Sequence, residues 1–274
     1  MLAPRVAIFT ASRLLASSTN PASPAWEALL EIERRKIPFV LATHGTRAEI
    51  EPLRKKIGHA HPFITEGGGG LFIPDGYFSL RLDGAERVAR YLCVSFGRSY
   101  QDVTEAVEEI AGKAKANVVR YAEMSARDIA GNTGMTIRDA ERSRDREFSE
   151  RFFFAGNAGP SARSFEEIAG QHNWQARRGE PFWELSSGND EGKAVRYLMR
   201  LYRQVLRSRI RSVGIGSSVE DASLLGASDQ AIALPLGSNK FDEGLLAKLP
   251  NALKTSIPGD QGWNQTVLSL FSDT

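Results

Sequence analysis

The apolar run Val6-Ala7-Ile8-Phe9-Thr10 passes directly into Ala11-Ser12-Arg13-Leu14-Leu15. The carboxyl end of such a strand, near the start of an α/β chain, is where phosphate chemistry is usually seated, on acids or glycines. This one carries neither, and no carboxylate precedes Glu27. Ser12 is a weak nucleophile without a neighbouring base. His44 follows a different strand and reads as a surface or hydrogen-bonded histidine rather than a base. Gly67 to Gly70 look like a phosphate loop, but the Lys-Ser/Thr ending of a nucleoside-triphosphate site is missing, so a tight turn is predicted. Arg177-Arg178, between Trp174 and Trp183, are either a contact for a sugar or carboxylate or solvated hairpin residues. Cys93 is the only cysteine, which excludes a disulfide framework and a cysteine metal site.

The elements that must hold these residues alternate. A strand at 5–10 is followed by a helix near 24–36, with Trp26, Leu29, Leu30 and Ile32 at helical spacing, and by a second buried strand at 37–42. Thr46 and Glu49 form a capping box that opens a helix to about 57. Continuous apolar strands in β-α-β-α order imply a parallel sheet covered on both faces. Short extended segments are expected at 71–73 and 77–82. Residues 86–188 differ in texture, with a charged helix near 100–115, two short helices after Ser125 and Thr136, and strands around "ERFFFAG" and 174–186. They read as an α+β module inserted into the sheet domain. The alternation then resumes: helix 191–207, strand 212–216, helix 219–225, strand 229–234, and closing helices near 242–249 and 260–271. Asp190 and Glu191 read as helix-initiating acids, favoured by the dipole at a helix N-terminus.

The 274 residues carry 35 lysines and arginines against 33 acids, a net charge of +2. That balance argues against a nucleic-acid binder built on a basic face. No apolar run approaches the roughly 20 residues of a membrane span, and no signal peptide is legible, so a soluble cytoplasmic protein without a membrane partner is expected.

Three long stretches carry a resemblance. "LATHGTRAEIEPLRKKIGHAHPFITEGGGGLFIP", "MSARDIAGNTGMTIRDAERSRDREFSERFFF" and "FWELSSGNDEGKAVRYLMRLY" resemble, in order, the second motif, the cap and the third motif of the mannosyl-3-phosphoglycerate phosphatases of the haloacid-dehalogenase superfamily. The resemblance implies an α/β fold: a doubly wound parallel-sheet core from 1–85 and 189–274, and an inserted α+β cap over 86–188. It also implies an aspartate nucleophile and an acid/base aspartate at the end of the first strand, a hydroxyl and a lysine on the phosphate, and acids that hold magnesium.

Laid onto this sequence, Thr43 keeps the hydroxyl and Lys193 the lysine. Ala11 takes the nucleophile position and Arg13 the acid/base position. Ser217 stands where the main metal acid belongs, Glu220 where an asparagine belongs, and Asp221 alone keeps its type as a remnant of the metal set. Gly67 replaces the asparagine of the family's Glu-Asn-Gly-Gly. Phosphate binding is therefore assigned to Thr43, Lys193 and Arg13, whose guanidinium fork suits an oxyanion if it points inward. No cofactor is expected, and Mg2+ only if the chain turns over. The reading is an inactive phosphatase homologue that binds a small phosphorylated sugar or sugar acid. Its rivals are an active phosphomonoester phosphatase using other residues, and a structural or interaction protein with a vestigial cleft. The parallel strand ends should gather Thr10-Ala11, Thr43, Lys193 and Gly216-Ser217 at one crevice.

Overall fold

Strands that are apolar along their whole length can be buried on both faces only at the centre of an α/β layer, and that is where they lie. A computed structural model describes residues 5–18, 20–156, 159–179, 181–238 and 240–272. In chain order the elements begin β1 (Val6–Ala11), α1 (Trp26–Arg35), β2 (Phe39–Ala42), α2 (Arg47–Lys56), β3 (Phe63–Thr65), β4 (Gly70–Pro74), β5 (Glu86–Val88) and β6 (Tyr91–Ser95). Next come α3 (Tyr100–Ala114), β7 (Val118–Arg120), α4 (Ala126–Thr133), α5 (Ile137–Arg144), β8 (Ser149–Phe154), α6 (Gly159–Gln171), β9 (Gln175–Arg178) and β10 (Trp183–Ser186). The chain closes with α7 (Glu191–Leu206), β11 (Arg211–Gly216), α8 (Ala222–Gly226), β12 (Gln230–Ala233), α9 (Glu243–Lys248), β13 (Leu253–Lys254) and α10 (Gly259–Ser272).

The main sheet has the order β13-β12-β11-β1-β2-β3-β4-β6-β5. Its strands are parallel from β13 to β3, and β4, β6 and β5 extend it antiparallel. One face packs on α1 and α10 through Leu29, Ile32, Trp263 and Val267, the other on α7 and α8 through Val195, Leu198, Leu224 and Leu225. Thr10 lies level with Ile215 on one side and Leu41 on the other, so β1, β2 and β11 end side by side. Ligands of open α/β sheets bind beyond such strand ends.

A second, antiparallel sheet, β7-β8-β10-β9, forms the inserted module. Alternation along β8 sends Phe152 and Phe154 towards α3 and α6, while Phe153 joins Tyr121 and Phe182 beside α4 and α5. The sequence places the start of this module at 86, but β5 and β6 belong to the main sheet: Phe72 of β4 pairs with Cys93, and Cys93 and Tyr91 are buried in the core with Phe63 and Phe72. We therefore place the insertion at about 96–187. The extended segment expected at 77–82 is a run of bends whose Tyr77 and Phe78 pack on Tyr202.

Candidate functional site

Where β1 ends, a 3-10 turn over Ser12–Leu15 anchors itself by burying Leu14 and Leu15 and leaves the Arg13 side chain 38% exposed. Where β11 ends, Ser217 and Ser218 lead into a 3-10 turn over Val219–Asp221. Asp221 is 1% exposed. Its Oδ2 accepts the backbone N–H groups of Ser217 at 2.7 Å and Ser218 at 3.1 Å, and the guanidinium Nη2 of Arg13, which also donates to Ser218 Oγ at 2.8 Å. One arm of the fork expected to face phosphate thus pairs with a protein carboxylate, because a buried charge is costly unless it is compensated. A magnesium ion, which the resemblance implies for a working phosphatase, does not fit these residues. It needs several oxygen ligands in near-octahedral order, whereas Asp221 Oδ2 already holds three donors and Ser217 supplies no carboxylate. Among the described residues no group of three His, Cys, Asp or Glu could hold a metal.

After β2, Thr43 Oγ1 accepts the N–H of Gly45 at 3.0 Å, which leaves the hydroxyl proton to donate. His44 Nδ1 lies 3.0 Å from Nη1 of Arg177, on β9 of the inserted module. A guanidinium only donates, so Nδ1 is the acceptor and the neutral ring carries its proton on Nε2. Burial, helped by the charge of Arg177, lowers the His44 pKa and keeps the ring neutral. Nε2 has no hydrogen-bond partner among the described residues and stands 3.8 Å from Oε1 of Glu191. His44 is therefore an N–H donor at the crevice, not a base, in keeping with the sequence reading.

Glu191 departs from that reading. Asp190 caps α7, accepting the N–H of Gly192 at 2.8 Å, but Glu191 turns into the protein at 3% exposure. Its Oε2 is buried without a partner among the described residues. Burial, then the charge of Asp221, push the Glu191 pKa up to about 8 against the opposing pull of Arg13 and Arg177. Lys193 stands on the rim instead, exposed, with Nζ donating to the Gly188 carbonyl at 3.2 Å. On a helix, residues two apart point in nearly opposite directions, so an inward Glu191 requires an outward Lys193. A raised carboxyl pKa gives stability that is complete below the unfolded value and lost as pH rises through the folded one. Glu191→Gln should therefore raise Tm by about 3 °C or more at pH 8 and by less at pH 5. Equal gains at both pH values in a thermal melt would contradict this.

These groups face a cavity of about 610 Å³ between core and insertion. His44, Glu191, Lys193, Glu220 and Lys248 line it from the core, and Gln175, Arg177 and Arg178 from β9. Arg177 and Arg178 are thus strand residues on the cavity wall, not turn residues. Neither indole lines it: Trp183 packs edge-on against Phe154, and Arg98 lies over Trp174. Lys248, at the end of α9, carried no signal in the sequence. Lys193 shares this cavity and Thr43 adjoins it through His44, while Arg13, Ser217 and Asp221 gather around one carboxylate.

The insertion is held to the core at the glycine loop. Glu66 is 1% exposed at φ 50° and accepts the N–H groups of Glu147 at 2.8 Å and Phe148 at 3.0 Å, together with the Ser149 hydroxyl. Arg146, with a fully buried side chain, lies 3.7 Å from Glu66 and 2.9 Å from Glu184 on β10. Burial pushes Glu184 up, but Arg146, Arg151 and Arg177 overcome it and hold its pKa at about 2. Gly68, at φ 93°, lies against the start of α7: a Cβ there would sit 2.2 Å from both Asp190 C and Glu191 N. The predicted tight turn is thus also the seat of the helix that carries Glu191.

No protein-family model matches the sequence. The chain is 30% identical over 255 residues to the glucosyl-3-phosphoglycerate/mannosyl-3-phosphoglycerate phosphatase of Methanococcoides burtonii, covering 93% of this chain and 91% of that protein. The mannosyl-3-phosphoglycerate phosphatase of Pyrococcus horikoshii is 27% identical over 212 residues, covering 77% and 82%. Among solved structures, a haloacid dehalogenase-like hydrolase from Bacteroides thetaiotaomicron aligns over 98% of this chain and 100% of its own, with a TM-score of 0.66 at 16% identity. That likeness bears out the fold expected from the sequence, a parallel-sheet α/β core with an inserted cap. The chain belongs to the glucosyl-3-phosphoglycerate/mannosyl-3-phosphoglycerate phosphatase family, on the haloacid-dehalogenase-like hydrolase fold.

Proposed function

We propose that this chain binds a phosphorylated sugar or sugar acid in the crevice as an anion, without metal, and does not hydrolyse it. The observation that carries the reading is the Arg13–Asp221 pair. Where the resemblance puts an acid/base aspartate, an arginine reaches across to the one surviving acid and supplies the cation itself. Ala11, at the end of β1, offers no nucleophile, and His44 offers a proton rather than taking one. The donors that remain, from Thr43, His44, Arg177, Arg178 and Lys193, suit phosphate oxygens. The lining carries four cationic side chains, Arg177, Arg178, Lys193 and Lys248, against the carboxyls of Asp190, Glu191 and Glu220. Asp190 is itself 3.5 Å from Arg196. The size of the cavity and the balanced charge support a small molecule over a nucleic acid, and we place the protein in the cytoplasm. No helix among the described residues is long and apolar enough to cross a membrane.

Calorimetry with inorganic phosphate in the presence of a chelator tests the binding. Two charge-assisted contacts place the expected Kd at about 1 mM or tighter, with affinity falling as salt rises. In parallel, phosphate release from phosphomonoesters with magnesium should not exceed a buffer blank. Turnover that survives repurification, or binding that appears only with magnesium, would overturn the proposal.

A further inference from the structure

The crevice has one wall that does not match an anion. Glu191, in the first turn of α7, lines the cavity at 3% exposure, with Oε2 buried and without a partner among the described residues and Oε1 3.8 Å from the proton-bearing Nε2 of His44. An ionised carboxylate beside an oxyanion repels it, whereas a neutral carboxyl donates a hydrogen bond to it. The unpartnered oxygen is therefore either a donor to the ligand or an acceptor of a proton that the ligand brings. We propose that Glu191 shares a single proton with the bound oxyanion and so determines which anions the crevice holds. When Glu191 carries the proton, fully ionised oxyanions are accepted. When it does not, only an oxyanion with its own proton fits. This rests on the anion-binding reading above.

The charged groups that act on Glu191 come from four other segments. His44 faces it from the loop after β2, Arg177 from β9, Arg13 from the turn after β1, and Asp221 and Glu220 from the turn after β11. His44, with its pKa lowered by burial, stays neutral at and above neutral pH. The position of the Glu191 pKa, raised by burial and Asp221 to about 8, puts the change of state within reach of a titration.

Sulfate and inorganic phosphate make the test, because sulfate brings no proton across this range and hydrogen phosphate keeps one. For the wild-type chain, sulfate affinity by calorimetry should fall about tenfold or more from about pH 7 to about pH 9.5, and phosphate affinity by less than about threefold. In two buffers of different ionisation heat near pH 9, sulfate binding should take up about one proton per site. Glu191→Gln keeps the shape and removes the titration, so its sulfate affinity should be flat and its proton uptake absent. Sulfate binding that is flat in the wild type, or a dependence that persists in the glutamine variant, would overturn this proposal and leave anion binding intact. Failure of both anions to bind at any pH would overturn the two together.

Discussion

Replacing Arg146 with alanine is expected to destabilise the chain by about 3–5 kcal/mol, because removing one member of a buried ionic cluster strands the others. Arg146 is fully buried between Glu66 of the core and Glu184 of the cap, which are 0% and 14% exposed at their side chains. Glu184 keeps Arg151 at 3.2 Å, but among the described residues Glu66 has no other cation and retains only its neutral donors. The depressed Glu184 pKa adds a signature in pH. A carboxyl lowered to about 2 contributes stability that is present above its unfolded value and lost as pH falls through the folded one. Much of that contribution depends on Arg146, so the penalty in the variant should shrink between about pH 4.5 and about pH 2. Urea titrations at neutral and acid pH measure both. A loss below about 1 kcal/mol, the range of an exposed pair, would show that the cluster does not hold cap to core.

Gly68→Ala should be comparably severe, at about 4 kcal/mol or more, and should weaken phosphate binding about tenfold. Two effects add. Only glycine is at ease at φ 93°, and the new methyl would sit 2.2 Å from backbone atoms of Asp190 and Glu191, which no rotamer change relieves. Relief requires the first turn of α7 to move, and Glu191 moves with it. Gly112→Ala on α3 is the matching control, since nothing lies within 4 Å of a Cβ there. It should be neutral or stabilise by about 0.5–1 kcal/mol. Chemical denaturation and phosphate calorimetry on both variants decide the matter. A Gly68→Ala protein with unchanged stability would mean that the loop yields where the geometry says it cannot.

The sequence was most readable where one rule acts alone. Thr46 and Glu49 form the reciprocal cap expected of them, Ser125 and Thr136 cap their helices, and the unbroken apolar strands lie parallel at the centre. It was least readable where two rules compete. Tyr91-Leu92-Cys93-Val94 sits next to a segment of different texture in the sequence, yet its apolar residues complete the core sheet, which composition alone does not show. At α7 the motif drew attention to Lys193, while the direction of side chains was set by which helix face was apolar. Ala194, Val195 and Leu198 are buried with Glu191, and that face, once traced back to the first turn, points to the acid and not the lysine. The Arg13–Asp221 contact spans 208 residues. Nothing local in the sequence signals it.

That contact also bears on how the chain can change over time. Asp221 is tolerable in its buried seat because a guanidinium faces it, and Arg13 is held in place by the same carboxylate. An aspartate arriving alone at position 13 would set two acids against each other and remove the cation that now reconciles Asp221 with burial. A neutral residue arriving alone at 221 would leave Arg13 without its anchor. The two positions therefore constrain each other: a change at either one alone removes the partner that holds the other in place.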